Sequence, residues 1–317
     1  LSKLIAQPVT LWLQQADQAY LPYHGYVHTA RRLGADGSLT SYQLEFASWQ
    51  HFLKFRSDAR IWQDKTADAI LIDVFNAHPQ AQGAFRFVIQ NALPSRSFCV
   101  QYESDWNFCQ RIMESEGLFS YFEQATDGKS HTVVITDNIG ALPALNPQSV
   151  NFYRSGVNSE TNALVQWSGT RTLQSVTLAT RTFDYKSPST SVNPKGTSVP
   201  TLATQGNLPQ QAEVYEYTGA YTYGEQSRGD TLSEIRMQEW ESRAKRFEGA
   251  GAVRNLDAGR WFELDGHPVH DADSEQDRQF AVIDARWFIE NNLPATTTQT
   301  QSFPHSLQGE LAAIKSA

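Results

Sequence analysis

The sequence predicts a mainly β fold with α+β insertions, on three observations. Apolar and polar residues alternate in several segments before residue 60 and again after residue 148, which is the period of half-buried strands. Two segments between them, residues 66–78 and 104–117, show the 3.6-residue period of helices instead. Aromatic residues make up 12% of the chain, and aromatic side chains favour pleated surfaces. At 317 residues the chain exceeds the size at which one core stops growing, about 250–300 residues, so we expect two or three domains.

The N-terminal segment is predicted to be a three-stranded meander. Residues 8–14 and 23–33 alternate as strands, and Asp36-Gly37 marks a tight hairpin because both residues tolerate positive φ. The third strand places three large residues on one face: Tyr42, Leu44 and Phe46. Such a meander needs a partner sheet or closure into a barrel to bury its apolar face.

Two helices follow the meander. Thr66 is positioned as the N-cap of the first helix, whose apolar stripe has helical spacing: Ala67, Ile70, Leu71, Val74 and Phe75. Ser104 is positioned as the N-cap of the second helix, with Asp105 favourable in its first turn. Gly117 is expected to end that helix in the left-handed conformation.

The second half of the chain is predicted to return to strands. A hairpin over 118–123 and 131–136 turns at Asp127-Gly128, and four later segments also read as strands: 164–167, 175–183, 259–264 and 281–289. Residues 187–211, rich in Ser, Thr and Pro, are predicted to be a long surface loop. A helix is predicted over 231–248, because Thr231-x-x-Glu234 forms a capping box and Gly249 can end the helix.

Composition excludes several classes of protein. A net charge of −8 argues against a general nucleic-acid binder, which needs a basic face. No apolar run is long enough to span a bilayer, and residues 1–13 lack the features of a signal peptide. Two cysteines, Cys99 and Cys109, are too few for a disulfide framework or a metal cluster, and are expected to be core or half-core residues. Because the first residue is Leu1, we expect the true N-terminus to be missing.

The nucleotide and metal motifs fail on specific residues. A phosphate-binding loop ending at Gly128-Lys129-Ser130 would need Gly where Glu123 stands. His24 and His28 share a strand face but lie about 13 Å apart, so they are interpreted as half-exposed sheet histidines rather than metal ligands. His267 and His270 lack further ligands nearby.

Acidic clusters are likewise interpreted as surface features. The run Asp271, Asp273, Glu275 and Asp277 resembles a calcium loop, but it lacks the central Gly and the closing Glu and is therefore interpreted as a solvated acidic loop. Glu114, Glu116 and Asp105 could supply the carboxylate pair of a glycosidase, but helix phase favours a charged outer face. The sequence therefore predicts no catalytic, cofactor-binding or metal-binding residue.

Residues 96–123 carry a recognisable signature: Arg96-Ser97-Phe98-Cys99-Val100-Gln101-Tyr102-Glu103-Ser104-Asp105, Arg111-Ile112-Met113-Glu114-Ser115-Glu116-Gly117 and Tyr121-Phe122-Glu123. Further matches lie on both sides: Tyr23-x-Gly25-Tyr26-Val27, Arg56-Ser57-Asp58-Ala59-Arg60-Ile61-Trp62-Gln63, Phe247-Glu248-Gly249 and Gly266-His267-Pro268. This combination resembles VgrG proteins, the spike subunits of type VI secretion systems, which are related to the tail hub proteins of contractile phages. The resemblance covers most of residues 20–290.

The resemblance implies two related β-barrel domains of the phage tail hub type. It implies a first barrel over 1–57 whose N-terminal part is missing, an α+β domain over 58–148, and a second barrel over 149–300 that contains the loop and helix above. Residues 301–317 would be a linker toward an OB-fold and a needle that are absent here. Trp12, Trp49 and Trp167 are candidate residues of the subunit interfaces.

The implied role is mechanical, without a cofactor. Three copies would surround an axis and cap a hexameric tube protein, in contact with baseplate components and an effector or tip protein. No nucleic acid and no stable membrane insertion are expected, and the assembly would form in the bacterial cytoplasm and be expelled without a signal peptide. Three alternatives remain open: a phage or prophage tail hub, a spike-associated cell-wall hydrolase, and a monomeric carbohydrate-binding β protein.

Overall fold

A computed structural model describes residues 1–36, 39–154, 162–188, 195–202, 212–220 and 222–289. The chain divides into a compact body, Leu1–Ala285, and a short second unit, Arg286–Ala317, of which the structure describes only residues 286–289. The body is mainly β with helices inserted between strands, which confirms the predicted fold class. Each described sheet is open, and none closes on itself within the described residues.

The predicted N-terminal meander is confirmed. Strands β1 (Pro8–Gln14), β2 (Tyr20–Asp36) and β3 (Leu39–Ala47) form an antiparallel sheet in that order. Asp36 pairs with Leu39, so the hairpin lies where it was predicted, although the turn residues 37–38 are outside the described part of the chain. Two register shifts interrupt the β2–β3 pairing, and such bulges bend and twist a ribbon.

An α+β region follows the meander. Its short 3₁₀ helices are Trp49–Phe55, Pro79–Ala81 and Ile139–Ala141, and its α-helices are α1 (Ala67–Phe75) and α2 (Asp105–Ser115). Its strands are β4 (Ser57–Trp62), β5 (Lys65–Thr66), β6 (Phe85–Val88), β7 (Ser95–Arg96), β8 (Cys99–Ser104), β9 (Phe119–Gln124) and β10 (His131–Thr136). β4 pairs antiparallel with β8, and β5 pairs antiparallel with β7. In the three-stranded sheet β6-β10-β9, the central strand β10 is parallel to β6 and antiparallel to β9.

Both helices of this region agree with their sequence patterns. The five stripe residues of α1 are fully buried and form the main core with α2 and the Trp49–Phe55 helix. Ser104 caps α2, because its Oγ accepts a hydrogen bond from the Asn107 N–H at 3.2 Å. Gly117 ends α2 with φ +67°, as expected. Thr66 stands at the N-cap of α1 but its side chain makes no capping bond.

The second half contains two more sheets and a long helix. Its strands are β11 (Ala144–Phe152), β12 (Ala163–Arg171), β13 (Thr177–Phe183), β14 (Lys195–Pro200), β15 (Glu213–Ala220), β16 (Lys245–Gly251), β17 (Trp261–Asp265) and β18 (Gln279–Ala281). Its helix is α3 (Gln226–Ala244). The sheet β16-β12-β11-β17-β18 encloses a second core around Phe262 and Leu264, while the sheet β14-β13-β15 packs one face against α3.

Three predictions for this half are wrong in detail. The loop predicted over 187–211 contains β14, since Ser, Thr and Val residues can pair with β13 at a sheet edge; residues 189–194 and 203–211 lie outside the described part. The helix predicted over 231–248 runs instead from Gln226 to Ala244. Thr231 lies inside that helix and donates its hydroxyl to the Ser227 carbonyl, so it is not a cap.

Two further boundaries differ from the sequence prediction. Gly249 belongs to strand β16 rather than to a helix end, because Lys245–Gly251 pairs with β12. The strand predicted over 281–289 ends at Ala281, and Val282 continues from it with backbone hydrogen bonds to Gly259 and Arg260. The helix stop at Gly249 was misplaced because this residue pairs with a distant strand, which local periodicity does not report.

Candidate assembly surfaces

A buried polar network fixes the start of α2. The Asp105 carboxylate accepts hydrogen bonds from Gln101 Nε2 at 2.6 Å, His78 Nε2 at 2.7 Å and Arg56 Nη1 at 3.2 Å. The Asp105 N–H in turn donates to the Arg56 carbonyl at 2.8 Å, and Arg56 also contacts Asp58. A buried carboxylate needs such compensation, so this network joins the start of α2 to Arg56 and to His78, which come from two other parts of the chain.

A second buried carboxylate joins α2 to α3. The side chain of Glu116 is 1% exposed and forms ion pairs with Arg96 and, at 2.7 Å, with Arg228 of α3. Next to it, Ile235 of α3 packs against the bare α-carbon of Gly117. The interpretation of Asp105 and Glu116 as a charged outer helix face is therefore wrong; only Glu114 is exposed, because tertiary partners from distant segments cover the other two.

The cysteines occupy the interior, as expected for core residues. Both Cys99 and Cys109 are free thiols and buried. Burial raises the pKa of each thiol, and the nearby Asp105 carboxylate raises that of Cys109 further. A thiol with a raised pKa is a poor nucleophile at neutral pH.

Six of the eight histidines form three couples. His24 is buried against His131, which corrects its interpretation as a half-exposed sheet residue; His28 is half-buried and stacks on His51. His267 and His270 lie together with ring centroids 4.9 Å apart. Within the described residues, no group of three or more potential ligands could hold a metal ion.

The acidic run beside the last couple serves local turns. Asp271 accepts the N–H of His267, Asp273 accepts from the His270 ring at 2.8 Å, and Asp277 accepts the hydroxyl of Ser274. These residues are exposed, as expected for a solvated acidic loop.

A cavity of about 300 Å³ lies between α2, α3 and strands β13 and β15. Its hydroxyl groups bond within the fold: Thr180 pairs with Ser233 at 3.0 Å, and Thr222 donates to the Thr218 carbonyl at 2.8 Å. Because these hydroxyls are already engaged, the cavity presents mainly apolar atoms to an occupant.

Three apolar surfaces remain uncovered in the described body. The first is the hairpin arm, the outer part of β2 and β3 (residues 29–36 and 39–45), where Leu33, Tyr42 (56% exposed) and Leu44 (44% exposed) are open to solvent. Residues 31–35, on the β2 side of the arm, are exposed as well. A two-stranded ribbon is marginally stable alone, so this arm is a candidate contact surface.

The second surface is the ribbon face of β4 and β8. Ile61 pairs with Val100 and Ala59 with Tyr102, which is 79% exposed, and Phe98 continues the same face. Trp62 and Cys99, on the opposite face, are buried in the main core. The third surface is the tyrosine face of β15, formed by Tyr215 and Tyr217 on the side of the sheet away from α3.

Sequence reasoning named three tryptophans as interface candidates, and the structure separates them. Trp49 is fully buried in the main core, and Trp167 packs between Phe247 and Phe280 in the second core. Only Trp12 of the three is exposed, and it lies beside Gly128 of the β9–β10 turn. The three apolar surfaces were missed because strand alternation does not show which face is left uncovered.

The arrangement of sheets and inserted helices is the fold of tail hub proteins. It matches a solved Escherichia coli protein, c3393, described as a component of the type VI secretion system with structural similarity to the T4 bacteriophage tail proteins gp27 and gp5. That match has a TM-score of 0.61 at 14% identity and covers 88% of this chain and 58% of the other. A tail protein from Neisseria meningitidis matches with a TM-score of 0.50 at 12% identity, over 78% of this chain and 71% of that chain.

The family follows from the sequence itself. The model of the phage tail baseplate hub (GPD) family matches residues 1–293, and the chain belongs to that family. Among curated relatives, the type VI secretion system spike proteins VgrG1b and VgrG1a of Pseudomonas aeruginosa are 26% and 25% identical to this chain, each over 93% of its length. The chain spans 38% and 44% of the length of those two relatives. None of the described helices is long and apolar enough to cross a membrane.

Proposed function

We propose that this chain forms the structural hub of a trimeric, cell-puncturing spike in a type VI secretion system. The hub caps the hexameric tube and is expelled with it from the bacterial cytoplasm. The observation that carries this proposal is the match of the baseplate hub family to residues 1–293, together with relatives that are named as spike proteins.

The uncovered apolar surfaces support an assembly role. A chain that works as a monomer rarely leaves several large aromatic residues exposed in clusters, whereas subunit interfaces are enriched in tyrosine and phenylalanine. The arm, the ribbon face and the tyrosine face are such clusters, and they lie on three different sheets. Three separate surfaces suit a subunit that contacts its own copies, the tube and baseplate components.

The same proposal assigns no catalytic role to the chain. The buried carboxylates that could form a hydrolase pair, Asp105 and Glu116, are each held by arginine partners inside the fold. A glycosidase needs two carboxyl groups facing one open cleft.

We also propose a domain organisation. A first hub domain spans 1–57, an α+β domain spans 58–148, and a second hub domain spans 149–300, with residues 301–317 as a linker to the needle. In support, the first sheet contains residues 8–47, while the strands β11 to β18 begin at Ala144, five residues before the proposed start of the second hub domain.

A phage or prophage tail hub is the second candidate. It is consistent with the family description and requires the same assembly in a virion, but the curated relatives that are named as type VI spike proteins favour the secretion role over it. The genes beside the coding sequence distinguish the two, because secretion clusters and tail gene clusters encode different neighbours.

The first test is the mass and shape of the purified protein. Light scattering should give three chains per particle, and class averages from electron microscopy should show a threefold ring with a central channel. A monomer, both for this chain and for the whole polypeptide that the gene encodes, would contradict the proposal.

The second test is made in the source bacterium. Deleting the gene should abolish export of the tube protein into the medium, and complementation with the wild-type gene should restore it. Unchanged export in the deletion strain would exclude a spike role in that secretion system.

A further inference from the structure

Four of the eight histidines meet beside strand β2: His24 and His28 belong to the strand, and His131 and His51 contact them. His24 contacts Tyr26 at 5.4 Å between ring centroids, and His28 lies at a bulge of the strand two residues further on. His24 faces His131 of β10, and His28 stacks on His51 of the Trp49–Phe55 helix at 4.3 Å between ring centroids. Both couples therefore lie where the first sheet packs on the α+β region.

The hydrogen bonds define the proton positions in the buried couple. The backbone N–H of Trp49 donates to His131 Nε2 at 3.2 Å, so that nitrogen carries no proton. Neutral His131 must then carry its proton on Nδ1, which donates to His24 Nδ1 at 2.9 Å. His24 in turn carries its proton on Nε2, and its backbone N–H donates to Gln124 Oε1 of β9.

An added proton has no acceptor in this couple. A proton on His131 Nε2 would face the Trp49 N–H, and a proton on His24 Nδ1 would face the N–H of His131. Either way, two donors oppose each other in an interior where each lost hydrogen bond destabilises the closed arrangement.

The surroundings add no compensating charge. Burial and the neighbouring His24 lower the pKa of His131 to about 4, and burial lowers that of His24. Burial, His28 and Lys54 lower the pKa of His51. Tyr26 and Phe122 make edge-to-face ring contacts with the buried couple, Gln124 is neutral, and no carboxylate is among the causes of these lowered pKa values.

We propose that the His24–His131 couple forms an acid-sensitive latch, which holds the first sheet on the α+β region when neutral and releases it when protonated. The released part is β1–β3, including the hairpin arm. The inference does not depend on the spike role, because it concerns contacts within one chain.

The direction with pH follows from proton uptake. In an opened state the histidines have their ordinary pKa near 6.5, whereas His131 in the closed state has a pKa of about 4. Opening therefore takes up protons between these two values and becomes more favourable as pH falls through that window. Each histidine that takes up a proton raises the opening equilibrium constant by up to about tenfold per pH unit.

The test is hydrogen–deuterium exchange at pH 7 and pH 5, corrected with an unstructured reference peptide for the intrinsic pH dependence of exchange. Segments 20–30 and 129–136 should lose protection at least about tenfold more than the α1 segment, because only the former cross the latch. The double variant His24→Gln/His131→Gln should lose this pH dependence. The matched control His267→Gln/His270→Gln, which changes a couple far along the chain, should keep it.

A second measurement remains decisive even if the double variant does not fold. NMR titration of the wild-type protein should show His131 titrating near pH 4 and His24 below its ordinary pKa, together with changes at the backbone amide of Trp49, which donates to His131. Equal protection of both segments at pH 7 and pH 5, or His24 and His131 titrating at their ordinary pKa, would overturn the proposal.

Discussion

Arg228 of α3 donates to the carboxylate of Glu116 across 2.7 Å, although 112 positions separate them in the chain. Arg96 reaches the same carboxylate from β7. This three-residue cluster connects the α+β region to the second half of the chain, and two of its members, Arg96 and Glu116, belong to the signature at residues 96–123.

Replacing Glu116 with Gln should destabilise the body by about 3 kcal/mol, because two arginines would lose their buried partner. The denaturation midpoint should fall without a change in the denaturant slope. The control is Glu239→Gln, which breaks an exposed pair with Arg243 one helical turn away and should cost under about 0.5 kcal/mol. Equal effects from the two variants would mean that the Glu116 cluster contributes no more than a surface pair.

Gly259 and Gly83 form a matched pair for testing close packing. Both have positive φ, +78° and +72°, so alanine costs about 1 kcal/mol at either position through backbone strain alone. A β-carbon at Gly259 would also overlap Tyr121 of β9, whereas Gly83 faces open space. In thermal unfolding, the Gly259→Ala variant should therefore have a free energy of unfolding about 1–3 kcal/mol lower than that of the Gly83→Ala variant. Indistinguishable melting temperatures would refute the contact.

The hairpin arm is predicted to act in association rather than in folding. Tyr42→Ser combined with Leu44→Ser should leave the unfolding free energy of the single chain within about 0.5 kcal/mol per site, since both side chains are exposed. The same variant should lower the trimer fraction in sedimentation experiments, because the arm would lose its apolar face. Val269→Ser, an equally exposed apolar position elsewhere, is the control and should leave the trimer intact. An unchanged trimer in the arm variant would remove the arm from the interface.

The two thiols provide a check on burial. Cys99 and Cys109 should not react with a chromogenic disulfide reagent at pH 8 in the native protein, since both are buried and have raised pKa values. In denaturant both should react at once, which gives two equivalents per chain. Rapid reaction of either thiol in the native state would show that the main core is open there.

Local sequence patterns predicted the elements whose signals lie within a few residues. The α1 stripe, the Ser104 cap, the Gly117 stop and the two hairpins are all confirmed, because periodicity, capping and positive φ are short-range properties. The capping box predicted at Thr231 was wrong because a local motif does not report tertiary packing. Helix α3 packs against β13 and β14 and begins five residues earlier, at Gln226.

The sequence by itself determined the mainly β class, the two inserted helices and the resemblance to a spike hub, since each is carried by residue pattern and order. Only the tertiary structure decided that Asp105 and Glu116 are buried, that His24 meets His131, and which apolar faces stay uncovered. These properties depend on residues 27 to 112 positions apart, and the free energy of a buried charge or ring is set by those distant partners rather than by neighbours along the chain.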